Sequence, residues 1–178
     1  MNYPEWYEPN PKLVKLIEEA IDKPFCFLFT GKNGTGKSCM ADLIYEHLSK
    51  KPVSKTNIRA DHLYAKYLAA NDQNGADKTA ALRDIEQLPT RKLLVLDDLG
   101  LEMDTPASRK FFENLICSQH DFIQEKNQVQ SIITTNLSSD QISLRYGDRV
   151  LDRLCQFYTI VKFTNNSFRL RNLRVVEV

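Results

Sequence analysis

Apolar positions along this chain follow two rhythms. Phe25-Cys26-Phe27-Leu28-Phe29 and Leu93-Leu94-Val95-Leu96 are short unbroken runs, and between them lie longer tracts in which apolar residues return every three or four positions. An unbroken short run marks a strand covered on both faces, whereas the longer spacing marks one face of a helix. The spacing predicts a helix from Pro11 to Asp22, with Leu13, Leu16, Ile17 and Ala20 on one side and Pro24 as its stop. Proline suits the first turn, where an N–H has no helical partner. A buried strand over Phe25–Phe29 follows, then a glycine loop and a helix to about Leu48. Val53–Ile58 reads as a second strand, His62–Ala70 as a helix capped by Asp61, and Asn71–Ala76 as a loop. Ala80–Gln87 is a short helix ended by Pro89, and Leu93–Leu96 is a strand running into Asp97-Asp98. Ser108–Gln124 is a helix with Phe111, Phe112, Leu115, Ile116 and Ile123 on one face, and Val129–Thr135 is a strand. Ile142–Leu154 is helical with a break near Gly147, and Phe157–Phe163 is a weakly alternating fifth strand. Strands alternating with helices imply an α/β fold, a parallel sheet with helices on both faces.

Composition narrows the class. The 178 residues, 42% hydrophobic and 26% charged, form an ordinary globular chain without internal repeat or linker. A single domain is expected over 12–178, preceded by an irregular segment over 1–11 that is rich in Pro, Tyr and Glu. No apolar run reaches the roughly 18 residues of a membrane span, and the opening Met-Asn-Tyr-Pro-Glu-Trp lacks the basic start and apolar centre of a signal peptide. Cys26, Cys39, Cys117 and Cys155 are scattered, which argues against a zinc site and a disulfide and suits a reducing cytoplasm. A net charge of +1 means that any nucleic-acid contact needs a local basic face. From Arg145 onward there are seven Lys and Arg (Arg145, Arg149, Arg153, Lys162, Arg169, Arg171, Arg174) against three acids (Asp148, Asp152, Glu177). That end is therefore either a solvated surface or a binding face.

The specific chemistry begins after the first strand. Gly31-Lys32-Asn33-Gly34-Thr35-Gly36-Lys37-Ser38 fits the phosphate-loop pattern G-x-x-x-x-G-K-[ST] in full, between a strand and a helix. Its glycines let the backbone curl so that N–H groups, including that of Cys39 at the helix start, converge on phosphate oxygens. The helix N-terminus favours the same anions. Lys37 reaches the β- and γ-phosphates of ATP in this reading, and Ser38 ligates Mg2+. Asp97, at a strand end, holds the metal through water, and Asp98 polarises the attacking water as general base. The bland alternative is that the two acids begin a turn before Gly100. Asn136 closes the Val129–Thr135 strand and either orients the attacking water or starts a turn.

Gly31–Ser38, Leu93–Gly100 ending in Asp-Asp-Leu-Gly, and Ile-Ile-Thr-Thr-Asn-Leu over 132–137 together resemble the AAA+ ATPases of the DnaC/DnaI helicase-loader and IstB transposition-helper group. So do the tract from Arg145 to Cys155 and the closing Asn166-Ser167-Phe168-Arg169. The resemblance covers roughly 10–170. It implies a P-loop NTPase with a five-stranded sheet in the order 5-1-4-3-2, without the C-terminal helical lid of most AAA+ proteins, and ATP held between subunits of a ring or spiral. It implies an arginine supplied in trans, Arg153 first and Arg149 second, and Arg169 on the phosphates of its own subunit; each of the three also fits a surface salt bridge. It further implies a replicative DNA helicase as partner and single-stranded DNA bound over Arg59–Arg83, where Tyr64, Lys66, Tyr67, Lys78 and Arg83 either stack bases and pair phosphates or belong to an amphipathic helix. The short stretch before the first helix departs from helicase loaders, which usually carry an N-terminal helicase-binding domain. Residues 1–11, with Trp6 and Tyr7, are compatible with a docking segment, a cover over the adenine or a disordered tail. A transposition helper acting on duplex DNA and a non-enzymatic ATP-binding switch or decoy are the competing functions.

Overall fold

The computed structural model describes residues 3–4, 7–50, 53–126 and 128–164. Their elements run α1 (Pro11–Ala20), β1 (Phe25–Gly31), α2 (Lys37–Leu48), β2 (Lys55–Arg59), α3 (Ala60–Asp72), α4 (Gly75–Glu86), a single 3-10 turn at Leu88–Thr90, β3 (Leu93–Leu99), α5 (Pro106–Lys126), β4 (Gln130–Thr135), α6 (Ser139–Tyr146), α7 (Asp148–Phe157) and β5 (Thr159–Phe163). The five strands form one sheet in the order β2-β3-β4-β1-β5. Every pairing is parallel. Read from the other edge, this is the 5-1-4-3-2 order implied by the resemblance.

The unbroken apolar runs are explained by helices on both faces. Side chains alternate across a strand, so Phe25, Phe27 and Phe29 of β1 join one core with α1 and α2, through Leu13, Ile17, Met40 and Ile44. Cys26 and Leu28 join the other, with Leu63 of α3, Phe112, Leu115 and Ile116 of α5, and Val150 and Leu154 of α7. Leu93 and Val95 of β3 belong to the first core and Leu96 to the second. Phe29 and Phe112 are fully buried, each contributing about 1.5–3 kcal/mol. Beneath β4, Ser131, Tyr158 and Gln119 close a buried triangle: Tyr158 donates to Gln119 Oε1 at 2.9 Å, Gln119 Nε2 donates to Ser131 Oγ at 3.1 Å, and the two hydroxyls lie 2.9 Å apart.

Local rules set the element ends. Asn10 caps α1, its Oδ1 accepting from Lys12 N at 2.9 Å, with Pro11 in the first turn. Ser138 and Gln141 form a reciprocal capping box on α6. Gly147, at φ +91°, separates α6 from α7 where the break was expected.

Three expectations are corrected. The second strand starts at Lys55, not Val53. Asp61 does not cap α3; the helix begins at Ala60 and Asp61 sits in its first turn, paired with Arg59 at 2.7 Å. The expected loop over 71–76 is mostly helical, because α3 runs to Asp72 and α4 starts at Gly75. Lys78 Nζ donates to Asn71 O at 2.8 Å across the short gap. Polar composition there reflects solvent on both helices, since α4 has no buried residue.

Candidate nucleotide site

The site lies at the carboxyl ends of β1, β3 and β4, where a parallel sheet opens a crevice. The phosphate loop leaves β1 through Gly31 (φ +144°), turns at Gly34 (φ +77°) and enters α2 through Gly36 (φ +95°). An L side chain is disfavoured in the left-handed region by roughly 1–2 kcal/mol. Close approach adds to this requirement at two positions. A Cβ on Gly31 would lie 2.3 Å from Phe163 O of β5, and one on Gly36 would lie 2.2 Å from the ring of Tyr7. Thr35 is buried and donates to Lys32 O at 2.9 Å, holding the loop's curl.

Lys37 is 4% exposed. Its ammonium donates to Gly31 O and Lys32 O at 2.9 Å each and to Asn136 Oδ1 at 2.6 Å. The lysine is thus folded back onto its own loop and onto the end of β4. Ser38 is half-buried in the first turn of α2, beside Cys39. Burial pushes the Cys39 thiol up to about 11, with the Asp42 and Glu46 charges adding to it.

Thr134 of β4 joins the two aspartates of β3. Its hydroxyl donates to Asp97 Oδ1 at 2.6 Å and accepts the Asp98 N–H at 2.8 Å. Among the described residues, Asp98 alone of the non-glycines has a positive φ, +54°. Such strain persists where surroundings over-determine it and clusters at functional sites. The turn that follows is closed by Leu101 N–H on Asp98 O at 3.0 Å, with Gly100 at φ +103°. A Cβ on Gly100 would meet Leu137 at 2.7 Å. Thr135 Oγ1 donates to Leu99 O at 2.6 Å, tying β3 to β4 once more. Asp98 thus opens the turn before Gly100, and its N–H and the Asp97 carboxylate both meet the Thr134 hydroxyl.

Behind this turn lies a carboxylate that the sequence analysis passed over. Glu102 is 4% exposed, and its Oε2 accepts the Gly100 N–H at 3.0 Å. Its Oε1 accepts from Arg145 Nη2 at 2.7 Å and from the Tyr146 hydroxyl, both on α6. Burial first, then the Glu102 charge, holds the Tyr146 phenol protonated far above its ordinary range.

The arginines divide. Arg153 Nη1 lies 3.2 Å from Nε2 of the buried His120, whose Nδ1 is 3.1 Å from Asp121 Oδ1. The same Nε2 also lies 3.1 Å from Gln156 Oε1, so Arg153, His120 and Gln156 meet at one ring nitrogen. Arg149 is exposed on α7. Neither Arg149 with Asp152 nor Asp148 with Arg153 forms an ion pair among the described residues; Ser143 donates to Asp148 instead. Arg169, the Asn166–Arg169 element and Trp6 lie outside the described residues.

Tyr64 is 6% exposed and packs with Phe112 in the core, and the Tyr67 ring lies 4.6 Å from Phe111. These rings are part of the α3–α5 contact, Tyr64 buried and Tyr67 half-buried, as the amphipathic-helix alternative expects. Lys66 and Arg83 remain exposed on α3 and α4. Tyr7 is 3% exposed, packed into the α1–α2 core and over the phosphate loop. Its irregular segment is therefore anchored at that ring. Tyr7, Asn10, Lys12, Leu13, Lys162 and Phe163 are among the residues that line a cavity of about 280 Å³ between α1 and β5.

The donor set fits a hard divalent cation such as Mg2+: Ser38 and Asp97 offer oxygen only, as that ion requires. Burial raises the Asp42 carboxyl, against the lowering effect of the Asn57 hydrogen bond, and the Asp97 charge adds to the rise. Among the described residues no group of three or more His, Cys, Asp or Glu forms a metal cluster, and no helix is long and apolar enough to cross a membrane.

A parallel five-stranded sheet with a phosphate loop after β1, two aspartates at the end of β3 and a Thr-Thr-Asn end to the central β4 defines a P-loop nucleotide-binding protein of the AAA+ type. Comparison with known proteins carries this to a family. The model of the IstB-like ATP binding protein family matches residues 16–175, and the chain belongs to that family. It is 24% identical over 143 residues to the replicative helicase loader DnaC of Escherichia coli K12, covering 80% of this chain and 55% of that protein. The chain thus spans about half the length of the curated relatives it matches. The crystal structure of the DnaC helicase loader superposes with a TM-score of 0.68 at 19% identity, covering 90% of this chain and 95% of that one. The replication initiator DnaA bound to AMPPCP and single-stranded DNA gives 0.70 at 16% identity, over 93% of this chain and 50% of that one. At such identities these structures speak for the fold.

Proposed function

We propose that the chain is an ATPase, hydrolysing ATP with Mg2+, and that it uses the cycle to load a replicative DNA helicase onto single-stranded DNA. The observation that carries the ATPase reading is Thr134, whose hydroxyl gathers Asp97 and Asp98 at the strand ends beside Lys37 and Asn136. Ser38 and Asp97 would hold Mg2+, which would supply charge neutralisation at the phosphates. The N–H groups from Gly31 to Cys39, through Lys32, Asn33, Gly34, Thr35 and Gly36, cradle the phosphates. Lys37 leaves Asn136 and its own loop carbonyls to meet the β- and γ-phosphates. Asp98 takes the proton of the attacking water, and Asn136, released by Lys37, orients that water. Positive charge completes the site from a neighbouring copy in a ring or spiral. Arg153 is the first candidate for that finger and Arg149 the second.

The helicase-loading half rests on the similarity to DnaC, and the single-strand half on the exposed Lys66 and Arg83 of α3–α4 together with the single-stranded DNA named with the DnaA structure. The family's IstB-like character favours one alternative, a transposition helper on duplex DNA. Fluorescence anisotropy with labelled single- and double-stranded oligonucleotides, each with ATP analogue, ADP or no nucleotide, separates them. ATP-dependent binding to single strands supports the loader. A duplex preference supports the transposition helper. No binding in any state leaves a nucleotide switch directed at a protein.

A further inference from the structure

Glu102 and Arg145 form an ion pair that is almost entirely out of solvent, at side-chain exposures of 1% and 14%. Burying such a pair gains little net stability, because desolvation offsets the attraction, and apolar residues of similar size would serve as well. Three hydrogen bonds already engage the carboxylate. One oxygen accepts the Gly100 N–H and the other accepts from Arg145 and Tyr146. Arg145 Nη2 donates in addition to Glu102 O at 2.5 Å. Both ends of this link are informative. The Gly100 end is the turn that follows the strained Asp98, closed by Leu101 N–H on Asp98 O. The other end is the last turn of α6, which passes through Gly147 into α7, the helix bearing Arg149 and Arg153.

We propose that Glu102 and Arg145 are positioning residues for ATP hydrolysis: through the Gly100 N–H they fix the turn that holds Asp98 in its left-handed conformation, and they lock that turn to the α6–α7 arm. The inference rests on the ATPase reading, with Asp98 as base. Neither side chain touches nucleotide. Their loss therefore lowers turnover and leaves nucleotide binding in place.

The test uses the full chain with Glu102→Gln, Arg145→Gln, the double variant and Arg145→Lys. Fluorescent ATP-analogue titration, kcat and KM, and amide hydrogen exchange are measured on each. Expected are at least a tenfold fall in kcat for either single variant and an analogue affinity and KM within threefold of wild type. The double variant falls no further than the singles, as a unit requires, and Arg145→Lys recovers part of the loss. Exchange at 98–101 and in α6 accelerates together by at least tenfold while β1 stays protected. A folded Glu102→Gln protein with wild-type kcat overturns the proposal, as does one whose KM rises and whose analogue affinity falls in step with the loss of kcat. Should Arg145→Gln fail to fold, the near-isosteric Glu102→Gln carries the test. Should the wild-type chain itself not turn over ATP, the ATPase reading fails instead; hydrogen exchange then decides the link, and unchanged protection at 98–101 in Glu102→Gln overturns it.

Discussion

Lys37 donates to Asn136 Oδ1 at 2.6 Å, joining the phosphate loop to the end of β4 across 99 residues of sequence. Under the proposed mechanism the same bond ties up the ammonium meant for ATP and the amide meant for the attacking water, and nucleotide entry would exchange it for phosphate contacts, releasing the two side chains together.

Substitutions at this pair should separate binding from turnover. Lys37→Ala removes the only side-chain charge of the loop aimed inward and should weaken ATP binding by about a hundredfold or more, the equivalent of about 3 kcal/mol. Asn136→Ala should leave affinity within a few-fold and lower kcat by about ten- to a hundredfold. Fluorescent-nucleotide titration and phosphate release measure both. A large loss of affinity in Asn136→Ala would count against its role toward water.

Asp98→Asn should bind ATP as the wild type does and lose at least a hundredfold in kcat. Thr134→Val is a sharper probe, because it leaves the Asp98 N–H without its acceptor and takes a donor from Asp97. A stability loss of about 1–3 kcal/mol is expected in urea denaturation, along with lost hydrolysis. Unchanged stability would show that water replaces the hydroxyl at no cost.

The strands and the phosphate loop were legible because their causes are local. A strand covered on both faces must read as an unbroken apolar run, and a backbone curl around phosphate must carry its glycines in order. Glu102 was not legible: its partners lie 43 and 44 residues away, and an acid between Leu101 and Met103 reads as surface. Alternation held the clue, since Leu101 and Met103 are 51% and 72% exposed while Glu102 points inward. Tyr64 was left open for the complementary reason. A tyrosine among lysines fits base stacking as well as it fits a core, and only the facing Phe111 and Phe112 decide.

Gly36→Ala should destabilise the fold by more than about 1 kcal/mol, from its positive φ and from the Tyr7 ring in the path of the new methyl. A double-mutant cycle with Tyr7→Ala apportions the two. Removing the ring should recover the steric part and leave the backbone part. Full additivity of the two losses in thermal melts would mean the ring moves aside freely.

Arg153→Ala should lower hydrolysis by at least tenfold, given what an arginine aimed at the γ-phosphate contributes. Mixing it with Lys37→Ala should restore part of the activity, because the lysine variant still offers its arginine to a neighbour. Wild-type turnover by Arg153→Ala alone removes Arg153 as the finger and turns attention to Arg149.

Alkaline pH should unfold the protein earlier than lysine neutralisation alone predicts. Burial pushes Cys26 up to about 12 and Cys39 up to about 11, above the ordinary thiol value near 9. Both are neutral in either state below about 9, and their contribution to stability is fully present there. It is lost as pH rises toward their folded values, since the unfolded chain releases the protons first. Melting temperatures from pH 8 to about 11 should fall less steeply in Cys26→Ala than in the wild type; parallel curves would show that these thiols do not set the slope.

The α3–α4 pair hangs on the domain in a lopsided way. Its first helix is rooted in the core by Leu63 and Tyr64, while its second has no fully buried residue and meets the core through the half-buried Ile85. Substitutions on the exposed face of the outer helix therefore escape the packing constraints that govern the strand ends. Descendants of this scaffold are free to rewrite that surface for a new client while the nucleotide machinery is inherited intact, so divergence within the family should concentrate there first.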